Sequence, residues 1–149
     1  MNKKIITKNK EAFFDYNILE QFEAGISLLG SEVKSIKLGH AQLKGAYCSF
    51  KDEQIWLVGS NISLYKAGKE FDTKRERKLL LKKAEINYLF GKTNKTNLTI
   101  VPTEIYLKTG KIKVEIALAS GKKKYDKREA KKKKQTERDL RRQYKNIKI

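Results

Sequence analysis

The residues best equipped for chemistry in this chain are cations, and they crowd toward one end. Residues 122–149 read KKKYDKREAKKKKQTERDLRRQYKNIKI, with fourteen lysines and arginines against four acids. This segment therefore holds ten of the eighteen net positive charges. A run this basic repels itself and cannot bury enough apolar surface to offset its conformational entropy, so it is expected to be disordered when free. Leu140, Tyr144 and Ile147 nevertheless fall at i, i+4 and i+7, one face of a helix. Glu129 with Lys133 and Glu137 with Arg141 are acid-before-base pairs four apart, and no Gly or Pro interrupts Ala130 to Tyr144. The spacing predicts a segment that turns helical against a polyanion, RNA foremost. Tyr125 and Tyr144 sit among the cations, where an aromatic ring can stack on an unpaired base or pack the docked helix.

Other chemistries find little support. His40, the single histidine, lies between Gly39 and Ala41 in an expected turn with no nucleophile beside it. One cysteine, Cys48, excludes an internal disulfide, and with one histidine a Cys/His metal site is not expected. Carboxylates are scattered and no GxxxxGK loop occurs. Neither enzyme activity nor a cofactor is expected, and neither a signal peptide nor a membrane span is recognisable, so the expectation is a cytoplasmic protein. Glu23 can be a solvated residue at a helix end, or an acceptor for base amino groups and 2′-hydroxyls. Of Leu79, Leu80 and Leu81, two are expected in the core and one at the surface, since three successive side chains cannot share a face.

Residues 1–121 must then be the scaffold, one domain that is itself basic. The clearest element is a hairpin: Ile105 and Leu107, a turn at Thr109-Gly110, then Lys111–Leu118 with Ile112, Val114, Ile116 and Leu118 on one face. Leu98–Val101 reads as a strand, with Pro102 at its end, at an edge or in a bulge. Alternation also predicts strands over Ile26–Leu38, Leu43–Lys51, Gln54–Val58 and Ile62–Tyr65, with a turn at Lys51-Asp52-Glu53. Helices are predicted over Asp15–Glu23, where Ile18, Leu19 and Phe22 group together, and over Lys82–Lys92, with Ile86, Leu89 and Phe90. Six or so short strands with flanking helices suggest a mainly β fold, a small closed antiparallel barrel of oligonucleotide-binding type.

Three stretches carry a resemblance: NKEAFFDYNILEQFEAGISLLGSEVKSIKLGHAQLKGAY, RERKLLLKKAEINYLFGK, and LTIVPTEIYLKTGKIKVEIALASGKKKYDKREAKKK. They closely resemble the SmpB family, the SsrA-binding proteins of bacterial trans-translation, over almost all of Asn9 to Lys133. The resemblance implies the barrel fold, no catalysis, and binding to the tRNA-like domain of transfer-messenger RNA (tmRNA). It further implies delivery, with elongation factor Tu, to ribosomes stalled without a usable codon. There the protein stands in for the missing codon–anticodon half of a tRNA at the small-subunit decoding region. Its tail turns helical in the empty mRNA channel. Alanyl-tRNA synthetase would be a partner only indirectly, through tmRNA. Carried over by motif, the RNA contacts fall on Asn9, Glu23, Leu80 and Lys113, and the ribosome-facing motif on Gly121, Lys122, Lys123, Asp126, Lys127 and Arg128. Phe14 departs from the pattern, since many relatives have His there; an imidazole's hydrogen bond or titration would be lost.

Two other readings stay open beside the resemblance: a general single-stranded RNA or DNA-binding module, and a basic ribosome-associated structural protein. The first predicts affinity indifferent to RNA shape, the second ribosome association regardless of stalling.

Overall fold

The structure, a computed structural model, describes residues 3–121. The tail readings over residues 122–149 lie outside the described residues. In chain order the elements are β1 (Lys3–Lys8), α1 (Lys10–Asp15), β2 (Tyr16–Ile26), α2 (Gly30–Lys37), β3 (Ala41–Gln42) and β4 (Tyr47–Lys51). They continue with β5 (Gln54–Val58), β6 (Asn61–Ile62), β7 (Arg77–Leu80), α3 (Lys83–Lys95), β8 (Leu98–Lys108) and β9 (Lys111–Gly121). The fold is mainly β with a few helices.

Seven strands form one antiparallel sheet in the order β1-β8-β9-β2-β7-β5-β4, and β3 pairs with β6 apart from it. The expected closure into a barrel is corrected here. The edge strands β1 and β4 do not hydrogen-bond to each other. The sheet curls far enough for β4 to pack against β8. It cannot be zipped shut there, because both edges of β8 are already taken, by β1 and by β9.

The predicted hairpin is β8–β9, paired from Lys108–Lys111 back to Leu98–Ser120. Val114, Ile116 and Leu118 are buried as the alternation demands, with Ile112 half-buried against the same core. Pro102 proves to mark a bulge: the register shifts between Pro102 and Glu104. The turn places Thr109 and Gly110 at φ +51° and +76°, the paired left-handed conformations of a two-residue hairpin loop. Glycine tolerates this and β-branched threonine does not. Thr109→Asn is therefore expected to stabilise the domain by about 1 kcal/mol, read as a higher midpoint in urea; a lower midpoint would mean that Thr109 makes a compensating contact.

Two sequence readings are corrected. Asp15–Glu23 is not a helix: α1 ends at Asp15 and β2 begins at Tyr16. Ile26–Leu38 is not a strand: β2 ends at Ile26, and α2 occupies Gly30–Lys37. The strand expected over Leu43–Lys51 shortens to β4, and that over Ile62–Tyr65 to the edge of β6. β5 and α3 lie where the pattern put them, α3 burying Ile86 and Leu89 while Phe90 stays exposed. Leu79 is buried, Leu81 packs against the core and Leu80 is exposed, the expected division of that triplet.

The main core joins Ala24, Ile55, Leu57, Leu79, Val114 and Ile116 under Ile36 of α2 and Leu89 of α3. A smaller cluster of Ala12, Val101, Ala117 and Ala119, with Tyr16 and Ile18 against it, is distinct from it. A buried ion network fastens α2 to β7. Glu32 and Arg77 are both fully buried, and Arg77 Nε donates to Glu32 Oε2 at 2.7 Å. Arg77 also donates to Ser60 Oγ and to the carbonyls of Thr73 and Arg75. Glu32 Oε1 accepts from Arg75 and from the Leu29 backbone N–H, which caps α2. Burial pushes the Glu32 carboxyl up, but Arg75, the Leu29 amide and Arg77 together hold it below the usual carboxylate range.

Candidate nucleic-acid interface

Strands β8, β9, β2 and β7 lie side by side, so residues far apart in sequence come into rows across them. One row runs Tyr106–Lys113–Gly25–Leu80. Beside it runs a row of carboxylates, Glu104–Glu115–Glu23. Glu23, Leu80 and Lys113, three of the four residues expected to touch RNA, thus meet in one surface hollow of about 500 Å³. Gly25, Gln54 and Lys78 line it with them. Gly25 is its floor: a Cβ there would stand 3.2 Å from Leu80 Cβ, so any side chain would crowd the exposed leucine.

The carboxylate row does not repel itself apart because each member has partners. Lys3 pairs with Glu104, and Thr103 Oγ1 donates to Glu115 Oε2 at 2.7 Å. Lys108 Nζ donates to Glu23 Oε2 at 3.2 Å. Partial burial acts to raise the Glu23 carboxyl, but hydrogen bonds from Lys108 and Tyr106 and the charge of Lys113 outweigh it and keep it below the usual range. Burial and the bond to Glu23 push the Tyr106 phenol up, so it stays a donor. Glu23 is therefore an oriented anion among cations. It can accept from an amino group or hydroxyl while Lys113 and Lys78 meet phosphate and Leu80 offers an apolar contact.

Asn9 stands elsewhere. It is 6% exposed, donates from Nδ2 to the Pro102 carbonyl at 2.9 Å and caps α1 by accepting from the Ala12 N–H. It therefore fastens the β8 bulge, whose Thr103 holds Glu115 next to Glu23. Gly121 is exposed at the end of β9, paired with Tyr16. Lys122, Lys123, Asp126, Lys127 and Arg128 lie outside the described residues. Gly25, Gln54, Lys78, Tyr106 and Lys108 were not singled out from sequence. The alternation of Tyr106 and Lys108 with Ile105 and Leu107 was the available signal for two of them. Nothing in the local pattern marks Gly25. His40 is exposed, as expected of a loop residue, while Cys48 is buried and its thiol is pushed up by that burial.

The family model for SmpB protein matches residues 6–146. The chain belongs to the SmpB family. It is 50% identical over 147 residues to an SsrA-binding protein of Sulfurihydrogenibium sp. (strain YO3AOP1), spanning 97% of each chain. To the SsrA-binding protein of Trichormus variabilis it is 48% identical over 146 residues, spanning 96% of this chain and 94% of that one. A solved SmpB chain, described under the words "tmRNA-SmpB: a journey to the center of the bacterial ribosome", aligns with a TM-score of 0.66 at 41% identity, over 83% of this chain and 92% of that one. No helix among the described residues of this SmpB family member is long and apolar enough to cross a membrane.

Proposed function

We propose that this SmpB family chain binds transfer-messenger RNA and acts with it on ribosomes in trans-translation. The observation that carries the reading is the convergence of Glu23, Leu80 and Lys113, from three strands, on one hollow in a basic domain. The hollow combines a fixed acceptor, a cation and an apolar contact, which suits a folded RNA with unpaired bases better than a bare duplex. In this reading Glu23, Leu80 and Lys113 touch the tRNA-like domain of tmRNA directly. Asn9 acts through the bulge it fastens, keeping the carboxylate row in place. Elongation factor Tu accompanies the complex to the stalled ribosome in the cytoplasm, and alanyl-tRNA synthetase meets it only through the RNA. Residues 1–121 bind the RNA. Residues 122–149 enter the empty mRNA channel of the small subunit, with Gly121 to Lys123 and Asp126 to Arg128 at the decoding region.

The decisive test is to recover the tagged chain from cells and sequence its RNA. One dominant species with a tRNA-like end supports the reading; a broad mixture of single strands would replace it with a general binding module. Lys113→Ala and Glu23→Ala are each expected to weaken binding of the tRNA-like domain about 10-fold, the effect of losing roughly 1.4 kcal/mol. Lys113→Ala should also flatten the salt dependence by about one unit of log–log slope, while Glu23→Ala leaves it alone. Thermal melting controls for folding; loss of RNA binding only alongside a collapsed melting transition would show that these residues support the fold and not the contact.

A further inference from the structure

A second hollow opens beside the first, between the β4–β5 hairpin and α3. It encloses about 730 Å³ and shares Gln54 and Leu81 with the hollow that holds Glu23 and Lys113. Its apolar wall is the pair Phe50 and Phe90, set edge to face with ring centroids 5.2 Å apart. Phe90 rests on Phe50 yet is still 48% exposed, so much of its ring faces the cleft rather than the core that Ile86 and Leu89 of α3 already serve. Gln54, Asn87, Lys51 and Lys83 line the same opening.

We propose that this cleft seats an unpaired nucleobase of the bound RNA, adjacent to the nucleotide held in the first hollow and separated from it by Leu81. The inference rests on the RNA-binding reading above. Each side chain has a part that suits such an occupant. The exposed phenyl ring of Phe90 offers a stacking surface. The amides of Gln54 and Asn87 both donate and accept, as the edge of a base requires. Lys83, Lys51 and the neighbouring Lys82 can meet the phosphates on either side. Asp52 and Glu53 also line the cleft, at the hairpin turn where both have positive φ. Their charge disfavours a duplex backbone and favours a base that brings an exocyclic amino group. A base paired within a helix has no free face, so the occupant comes from a loop. An apolar peptide side chain could also fill the space. Continuity with the Glu23–Lys113 hollow through Gln54 and Leu81 favours the RNA.

The test is a fluorescence titration of the full chain with the tRNA-like domain of tmRNA, carrying 2-aminopurine at one unpaired loop position at a time. The wild-type chain is expected to change the emission at one such position on binding. Phe90→Leu keeps an apolar side chain of similar bulk but no ring; it is expected to lower affinity about 5- to 100-fold and abolish that response. Phe90→Trp restores both. Asn87→Ala, at an exposed position that folding does not need, is expected to weaken binding several-fold with an unchanged melting temperature. Wild-type affinity and emission in both Phe90→Leu and Asn87→Ala would overturn the proposal. So would an unchanged RNA affinity combined with failure on stalled ribosomes, which would assign the cleft to a ribosomal or protein contact. A wild-type chain with no preference for the tRNA-like domain over an unstructured RNA would sink the proposed function and this inference together.

Discussion

Arg77→Ala is expected to remove about 3–5 kcal/mol of stability, a large part of what a domain of this size possesses. The substitution leaves Oε2 of the fully buried Glu32 carboxylate without its guanidinium partner, and frees Ser60 Oγ and the carbonyls of Thr73 and Arg75 from their shared donor. Urea unfolding at neutral pH measures it, and a loss below about 1 kcal/mol would mean that Arg75 or water replaces the guanidinium. The double change Glu32→Leu with Arg77→Met should be milder than the sum of its parts, because neither member of the fully buried pair is then left without the other, and Arg75, which also loses Glu32, is partly exposed to water. The same pair sets a pH dependence. The folded-state pKa of Glu32 lies below the ordinary value, so its contribution is complete above the unfolded carboxylate pKa of about 4.3 and is lost as pH falls through the depressed folded value. Glu32→Gln should therefore flatten the acid limb of the stability curve.

The other large effect concerns residues 129–149. Truncation after Arg128 is expected to spare binding of the tRNA-like domain, since Glu23, Leu80 and Lys113 all lie in the folded body. It is expected to abolish peptide tagging on a message that lacks a stop codon. On the proposal that the bound segment is helical, Leu140→Pro should reproduce much of that defect, because proline inside a helix costs roughly 3 kcal/mol, about two decades in helix population. Full tagging by the proline variant would show that the charge of the segment suffices without its helix. A large loss of RNA affinity on truncation would show instead that the tail reads the RNA.

What could be read in advance depended on how local the governing interaction is. The β8–β9 hairpin, the β5 strand and α3 follow from alternation, turn residues and helical spacing, all of which act over a few positions. The β2 strand was misread because its own pattern is broken by a bulge. The register with β9 shifts between Ile18 and Glu20, leaving Leu19 exposed. Ile18 then packs on the small cluster while Phe22 and Ala24 serve the main core. Apolar residues at Ile18, Leu19 and Phe22 consequently imitate a helix. The helix α2 was misread for the opposite reason. Two of its inward positions are polar, Glu32 and Ser35, and apart from the Leu29 amide that Glu32 caps, their partners lie more than twenty residues away: Arg75 and Arg77 for Glu32, the Ser63 carbonyl for Ser35. No local pattern announces a buried carboxylate whose cation is supplied by another strand. The candidate site shows the same division. Glu23, Leu80 and Lys113 were named by motif, yet Gly25 acquires its meaning only when β2 is laid between β9 and β7.

The sheet that stays open also governs how the molecule behaves among copies of itself. Its terminal strand β1 offers one side of its backbone to any extended chain, the usual seed of edge-to-edge aggregation. The strand reads KKIITK, with a lysine at each end and Lys4, like Ile5, facing water. A second copy approaching in antiparallel register would bring lysine against lysine before any backbone bond could form. Among the described residues the edge is thus guarded by charge and not by cover, and ionic strength becomes the control on self-association. At about 1 M salt, where repulsion extends only about 3 Å, the guard is lifted while the folded body is left intact. Dilute, low-salt solutions are the condition in which this chain keeps to itself.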